Sequence, residues 1–178
     1  LLPGTPAERA RVRALAQDIA CEIHPLDNLR VLRYLVRDMK LSEDDKNRWY
    51  RHWVETGLEV VERRLAAQPA TYCHGDTPTL ADCVLVPQIF NAQRFECRLD
   101  HVPTVMRVFE ACMVHPAFQA AHIGRAQPHE LGNGHADIGV ADRQRGSQHT
   151  RQCVEPVFDG IAAGVAVVAK AHDGARGR

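Results

Sequence analysis

The sequence Cys73-His74-Gly75-Asp76-Thr77-Pro78-Thr79-Leu80-Ala81-Asp82 decides the fold that we predict for this chain. Its glycine and prolines are typical of a loop, and its last four residues form a capping box at the start of a helix. In such a box the threonine hydroxyl accepts an amide proton, and the carboxylate of Asp82 reaches back to the cap. We therefore expect a loop over 68–78 and a helix that begins after Thr79, and the role of the box is structural.

Two further capping sequences predict helices on the N-terminal side of this loop. Thr5-Pro6-Ala7-Glu8 places a hydroxyl, a proline and a carboxylate where a first helix needs them, and apolar residues then recur at spacings of three and four up to about Ile23. Ser42-Glu43-Asp44-Asp45 opens a helix over about Glu43 to Ala67. Repeated helical periodicity of this kind predicts an all-α bundle.

The helix from Glu43 should carry a buried stripe that includes both tryptophans of the chain. This predicted stripe contains Trp49, Trp53, Gly57, Val61 and Leu65. The glycine on the stripe predicts a close crossing with a neighbouring helix, since it has no side chain to hold the two helices apart.

Prolines mark the predicted starts, ends and bends of the remaining helices. Pro25 should end or bend the first helix, because it disfavours helical torsions at His24 and donates no amide proton, and a helical pattern resumes at Asn28. Pro87 lies inside the helix that follows Thr79 and should kink it. A shorter helix from Pro103 and a last turn at 116–121 complete the predicted bundle.

The composition changes abruptly from Ile123 onward. Nine of the twelve glycines lie in this segment, which carries one leucine and one aromatic residue. Such a segment cannot bury enough apolar surface to fold, so we expect it to be mostly disordered. The predicted organisation is a helical domain over 1–125 and a poorly structured tail over 126–178. Because Leu1 stands only four residues before the first cap, we also expect the chain to begin partway into a larger product.

Charge and composition exclude several classes of function. Acidic and basic residues balance at 22 each, so no global field favours binding to nucleic acid or to a membrane surface. The longest apolar run, over 161–169, is too short to cross a bilayer. The six cysteines form no C-x-x-C pair and the ten histidines are scattered, which predicts a protein of the reducing cytoplasm with no metal site.

The bend at Pro25 concentrates polar groups that could bind an anion. His24, Asn28 and Arg30 lie within seven positions, where the guanidinium could hold a carboxylate and the other two could hydrogen-bond a peptide-like ligand. The alternative is that Asn28 caps the resumed helix, His24 satisfies a local carbonyl and Arg30 is a solvated surface residue. The spacing alone leaves both readings open.

A second polar cluster lies beyond the proline of the later helix. Gln88, Asn91 and Arg94 follow one another at spacings of three and interrupt an apolar helix. They face either a cleft or the solvent.

The order and spacing of five segments resemble the zeta class of glutathione transferases over about residues 1 to 130. The segments are Leu2-Pro3-Gly4, the stretch from Ile23 to Leu32, the sequence from Cys73 to Asp82, Val86-Pro87-Gln88 and Asn91-Ala92-Gln93-Arg94-Phe95. The capping box identifies the glutathione transferases generally, and the Asn-Leu-Arg and Asn-Ala-x-Arg-Phe segments narrow the resemblance to the zeta class.

The resemblance implies a fold, a cofactor and a reaction. The fold is the all-α bundle of the glutathione transferase C-terminal domain, without the thioredoxin-like N-terminal domain that carries most of the glutathione site. Zeta enzymes use glutathione to isomerise maleylpyruvate or maleylacetoacetate, and the intact enzymes are homodimers. By resemblance, His24, Asn28, Leu29 and Arg30 face glutathione, while Arg30 and Arg94 bind the dicarboxylate keto acid.

The chain as given could instead be a noncatalytic helical module or dimer partner. The thiol-activating motif of the family, which contains serine and cysteine, is not found in this sequence. The resemblance therefore leaves two expectations open, a fragment of an isomerase and an interaction module, and it predicts that no residue of this chain performs the chemical step itself.

Overall fold

A computed structural model describes residues 1–121. The predicted tail and the last four positions of the predicted 1–125 domain lie outside the described residues. Within the described part the chain forms seven α-helices and no strand, which confirms the all-α prediction. The helices are α1 (Pro6–Gln17), α2 (His24–Asp27), α3 (Leu29–Arg37), α4 (Glu43–Ala66), α5 (Leu80–Arg94), α6 (Pro103–Val114) and α7 (Pro116–Ala121), and a π-helical turn (Asp18–Ile23) joins α1 to α2.

The long helix α4 forms the centre of the bundle. It packs against the π-helical turn, α2, α3 and α6, while α5 packs against α1 and α6. The core between them is made of branched aliphatic side chains that are almost wholly buried, including Ile19, Ile23, Val54, Leu58, Val61, Leu85, Ile89, Val105 and Val108. Burial of such side chains contributes about 1.5–3 kcal/mol each, so this core is the main source of the stability of the bundle.

The buried stripe of α4 differs from the predicted one. Its buried residues include Tyr50, Val54 and Leu58, each one position beyond Trp49, Trp53 and Gly57, and the two stripes converge on Val61 and Leu65. Both tryptophans are half-buried and pack edge to face, with ring centroids 5.6 Å apart. An indole needs a partner for its N–H, and Trp49 Nε1 donates to the carbonyl oxygen of Leu26 at 2.9 Å from the rim of the core.

Gly57 permits the close helix crossing that its position predicted. A Cβ atom at Gly57 would lie 2.4 Å from Cγ1 of Ile23, which is far inside van der Waals contact. Only a glycine therefore lets α4 approach the π-helical turn this closely. The contact fixes the distance between α4 and the start of α2.

The chain does not leave the helical conformation at His24, contrary to the prediction. His24 has φ −56° and ψ −37°, and the helix continues through Pro25 to Asp27. The preceding turn explains the difference, because the His24 amide bonds to the carbonyl of Ile19 five residues back. This wider turn makes room for the proline ring, which in an α-helix would clash with a carbonyl one turn back. The break falls instead at Asn28, where ψ is 156°.

The capping box at the start of α5 is present as predicted, and it does more than cap the helix. The Asp82 side chain is fully buried, and its Oδ2 accepts from the Thr79 amide and the Thr79 hydroxyl, both at 2.7 Å. Its Oδ1 accepts from the Cys73 amide at 2.8 Å and lies 3.7 Å from the thiol of Cys112 in α6. One carboxylate thus joins the loop, the start of α5 and α6.

We predict that Asp82→Ala destabilises the domain by about 3 kcal/mol, because it leaves several buried donors without an acceptor. Equilibrium unfolding in urea measures the loss. Glu8→Ala is the matched control, since Glu8 occupies the same position in the exposed capping box of α1. It should lower the free energy of unfolding much less, and equal losses would contradict the bridging role of Asp82.

Candidate functional site

The first polar cluster lies at the corner between α2 and α3. Asn28 is the N-cap of α3: its Oδ1 accepts from the Val31 amide at 3.2 Å, and its Nδ2 donates to the Pro25 carbonyl at 2.7 Å. The capping alternative for Asn28 is therefore the one that the structure shows. One amide hydrogen of the side chain remains available for a ligand, since an NH₂ group has two.

Asp27 lies at the same corner, and the sequence reasoning missed it. It is 6% exposed, and its Oδ2 accepts from Nε2 of Gln88 at 3.0 Å. Its Oδ1 lies 3.6 Å from Nδ1 of His24, and the hydroxyl of Tyr50 acts as a hydrogen-bond donor that lowers the pKa of this carboxyl group. His24 therefore faces a carboxyl group rather than only a local carbonyl. If the predicted helix is extended through Pro25, His24 and Asp27 become an (i, i+3) pair on one helix face, and this spacing predicts their contact.

The second polar cluster divides between the interior and the surface. Gln88 is buried and bonds to Asp27, whereas Asn91 is half-buried and Arg94 is exposed at the end of α5. The bond from Gln88 to Asp27 spans 61 positions of sequence. This bond joins the polar cluster at the α2–α3 corner to the polar cluster on α5, which lie far apart in the sequence.

Burial dominates the electrostatics at this junction. It raises the pKa of Asp27 to about 6, against the opposing effects of the Gln88 hydrogen bond and the His24 charge. Burial also raises the pKa of Tyr50, and the Asp27 charge raises it further, while the positive charge of Arg94 acts in the opposite direction. The Tyr50 ring stacks on Phe95, the residue after Arg94, with centroids 3.8 Å apart.

Three of the predicted site residues present their side chains to solvent. Leu29, Arg30 and Arg94 are exposed, and neither guanidinium forms an ion pair with an acidic group of residues 1–121. Through Asp27 the structure joins His24 to Gln88, and Arg30 takes no part in these contacts. Two exposed guanidinium groups beside a polar junction are suited to binding an external carboxylate.

The described part of the chain has neither a metal-binding cluster nor a membrane-spanning helix. No three histidine, cysteine or acidic side chains of residues 1–121 are grouped so that they could hold a metal ion. None of the helices there combines the length and apolar character needed to cross a membrane.

Comparison with known proteins finds the same helical fold in solved structures and identifies a protein family. Residues 47–118 match the family model described as the glutathione S-transferase C-terminal domain. The chain is 43% identical to a holo maleylpyruvate isomerase structure described as a bacterial zeta-class glutathione transferase, with a TM-score of 0.68 over 72% of this chain and 61% of the other. It is 38% identical to a maleylpyruvate isomerase of Pseudomonas aeruginosa, with a TM-score of 0.67 over 72% of this chain and 67% of that one.

The chain belongs to the zeta-class glutathione transferases. A further structure of the family, a maleylacetoacetate isomerase of Anaeromyxobacter dehalogenans, is 44% identical, with a TM-score of 0.67 over 72% of this chain and 56% of that one. It holds dicarboxyethyl glutathione and citrate in its active site. The chain spans between a half and three fifths of the length of the first curated relatives that it matches.

For this zeta-class domain we predict a pH-dependent gain in stability from Asp27→Asn. The folded-state pKa of Asp27, about 6, lies above its ordinary 3.8, so the folded state holds the proton more tightly. The stability that protonation contributes is complete below pH 3.8 and is lost as the pH rises through 6. The amide variant has no such loss, and relative to the wild type it should gain about 1–3 kcal/mol between pH 4 and 7.

Urea unfolding of both proteins across this range measures the difference. Asp45→Asn is an opposite-sign control, because the Ser42 hydrogen bond lowers the pKa of Asp45, and that variant should lose stability relative to the wild type as the pH rises. A constant offset between Asp27→Asn and the wild type at all pH values would contradict the assignment.

Proposed function

We propose that the chain is the helical domain of a glutathione-dependent isomerase that converts a cis maleyl keto acid, maleylpyruvate or maleylacetoacetate, into its trans isomer. The observation that carries the proposal is the 44% identical relative with dicarboxyethyl glutathione in its active site. That ligand is a dicarboxylate joined to glutathione, which is the chemical combination that the reaction requires.

The residues at the α2–α3 corner fit glutathione chemically. Glutathione is a peptide with two carboxylates, and His24, Asn28 and Arg30 offer an imidazole, an amide and a guanidinium close together in the chain. The His24 side chain is partly exposed, and Asn28 retains one free amide hydrogen beyond its capping bonds. Leu29, exposed between Asn28 and Arg30, adds an apolar contact at the same corner. We assign these four residues to glutathione binding.

The role of this domain in the reaction is to bind and orient the substrate. Glutathione, when bound, supplies a thiol that adds reversibly to the cis double bond, so that rotation about a single bond becomes possible. Arg30 and Arg94 hold the two carboxylates of the keto acid while the bond turns, and their positive charges stabilise the negative charge that develops beside them.

The assembly and the location follow from the family and from the thiols. We infer a homodimer of the intact enzyme, as in the family that the sequence resembles. We also infer a cytoplasmic protein, because all five cysteines of the described residues are free thiols, four of them buried, and a reducing compartment keeps thiols in this state.

A fusion of this chain to the thioredoxin-like domain of a zeta-class relative tests the proposed function. We expect the fusion to isomerise maleylpyruvate or maleylacetoacetate in the presence of glutathione, measured by the loss of substrate absorbance. The chain alone should show no turnover above a blank that contains glutathione only, as an interaction module would. An inactive, folded fusion that still binds glutathione would contradict the proposal.

In this fusion we predict that Arg94→Ala lowers kcat/KM at least tenfold, because a charged hydrogen bond to the substrate carboxylate is lost. Arg94→Lys should recover part of the activity, since it restores the charge without the bidentate geometry. Arg107→Ala, which removes an exposed arginine of α6, is the matched control and should leave kcat/KM within twofold. Equal kinetics for Arg94→Ala and Arg107→Ala would show that Arg94 is only a surface residue.

A further inference from the structure

A row of contacting side chains crosses the bundle beneath the candidate site. It starts at His24 on α2, passes through Asp27 at the end of the same helix and Tyr50 on α4, and reaches the end of α5, where Phe95 follows Arg94. The His24 and Asp27 side chains lie 3.6 Å apart, the Tyr50 hydroxyl acts on Asp27 as a hydrogen-bond donor, and the Tyr50 ring stacks on Phe95 with centroids 3.8 Å apart. The row begins at one site residue and ends beside another, whereas its two middle members have been assigned no function.

The middle of the row is buried and its ends are accessible. Asp27 and Tyr50 are 6% and 2% exposed, while the His24 side chain is partly exposed and Arg94 is exposed. Burial of a carboxyl group destabilises the folded state unless hydrogen-bond partners surround it. The folded state therefore favours the arrangement in which the partners of Asp27 stay close to it. Gln88 strengthens the arrangement, because it ties the same carboxyl group to α5 six residues before Arg94.

We propose that Asp27 is a positioning residue of the isomerase site, which holds His24 at one end and, through Tyr50 and Gln88, fixes the end of α5 that carries Arg94. The inference rests on the proposed function, since it takes His24 and Arg94 as the groups that face glutathione and the substrate. Asp27 itself touches neither ligand. Asp27 instead sets the separation between His24 and Arg94, which face the ligands.

The positioning depends on the protonation state of Asp27. An ionised carboxylate accepts hydrogen bonds from both Gln88 and Tyr50 and attracts a protonated His24, whereas a protonated carboxyl group must donate through one oxygen. The groups that face it are His24 from α2, Tyr50 from α4, Gln88 from α5 and Cys97 from the turn after α5. Burial raises the pKa of Cys97 to about 12 and that of Tyr50 well above its ordinary value, so both stay neutral while Asp27 titrates.

Nuclear magnetic resonance of the 178-residue chain tests the coupling without any enzyme activity. The carboxyl carbon of Asp27, the side-chain amide of Gln88 and the Nε–H group of Arg94 would be followed from pH 4 to 8. We expect one shared midpoint near pH 6 for all three. A His24→Gln variant removes the imidazole, and the three groups should still share one midpoint in it.

Two variants with similar chemistry then separate positioning from general stability. Asp27→Asn should abolish the transition at Gln88 and Arg94. Asp18→Asn removes another partly buried carboxyl group, one that pairs with Arg64 at 2.8 Å on the π-helical turn, and should leave the transition unchanged. A titrating Asp27 with flat signals at Gln88 and Arg94 would overturn the proposal, and this outcome needs no variant to fold.

The fusion provides the functional readout. In the wild-type fusion KM for the keto acid should change with an inflection near pH 6, and Asp27→Asn should remove that inflection while kcat changes less than twofold. An active Asp27→Asn fusion that keeps the wild-type inflection would overturn the proposal. An inactive wild-type fusion would instead contradict the proposed function, and the titration of the chain alone would still decide whether Asp27 positions Arg94.

Discussion

The buried carboxylate of Asp82 is the interaction on which the bundle depends. It satisfies the first turn of α5, fixes the loop through the Cys73 amide and contacts Cys112 in α6. Burial raises the pKa of Cys73 and Cys112, and the neighbouring Asp82 charge raises both further, so these thiols stay protonated and pack as small apolar side chains. Since α5 carries Gln88 and Arg94, the direction in which this helix leaves its cap determines where the candidate site lies.

A second buried carboxyl group, that of Asp27, differs from that of Asp82 in the kind of hydrogen-bond donors that surround it. Asp82 accepts two backbone amides and a hydroxyl at 2.7–2.8 Å, whereas Asp27 depends on the side chains of Gln88, Tyr50 and His24. Backbone donors are fixed by the fold, while side-chain partners can rearrange. The Asp82 carboxylate is therefore suited to holding the bundle together. The side chains around Asp27 are suited to a site whose geometry changes with ligand or pH.

The sequence predicted the features that depend on local chemistry. The caps at Thr5, Ser42 and Thr79 are present, because each depends on a few neighbouring residues, and Gly57 lies at the predicted close crossing. The first three positions of the predicted α4 stripe were displaced by one, since the large tryptophans suggested full burial, whereas both are only half-buried and Tyr50, Val54 and Leu58 fill the core. The contact of Asp27 with Gln88 joins residues 61 positions apart, and no local pattern specifies such a pair.

The π-helical turn explains why the site could not be placed from sequence alone. Each α-helical residue turns the chain by about 100°, so one additional residue in a turn rotates everything after it by that amount. The turn at Asp18–Ile23 thereby determines which face of α2 meets α4 and α5, and on that face His24 and Asp27 are three residues apart. Gly57 admits Ile23 of this turn against α4, so packing between distant segments selects the wider turn. The position of His24 relative to Arg94 is consequently a property of the tertiary fold, carried by a glycine on one helix and a widened turn on another.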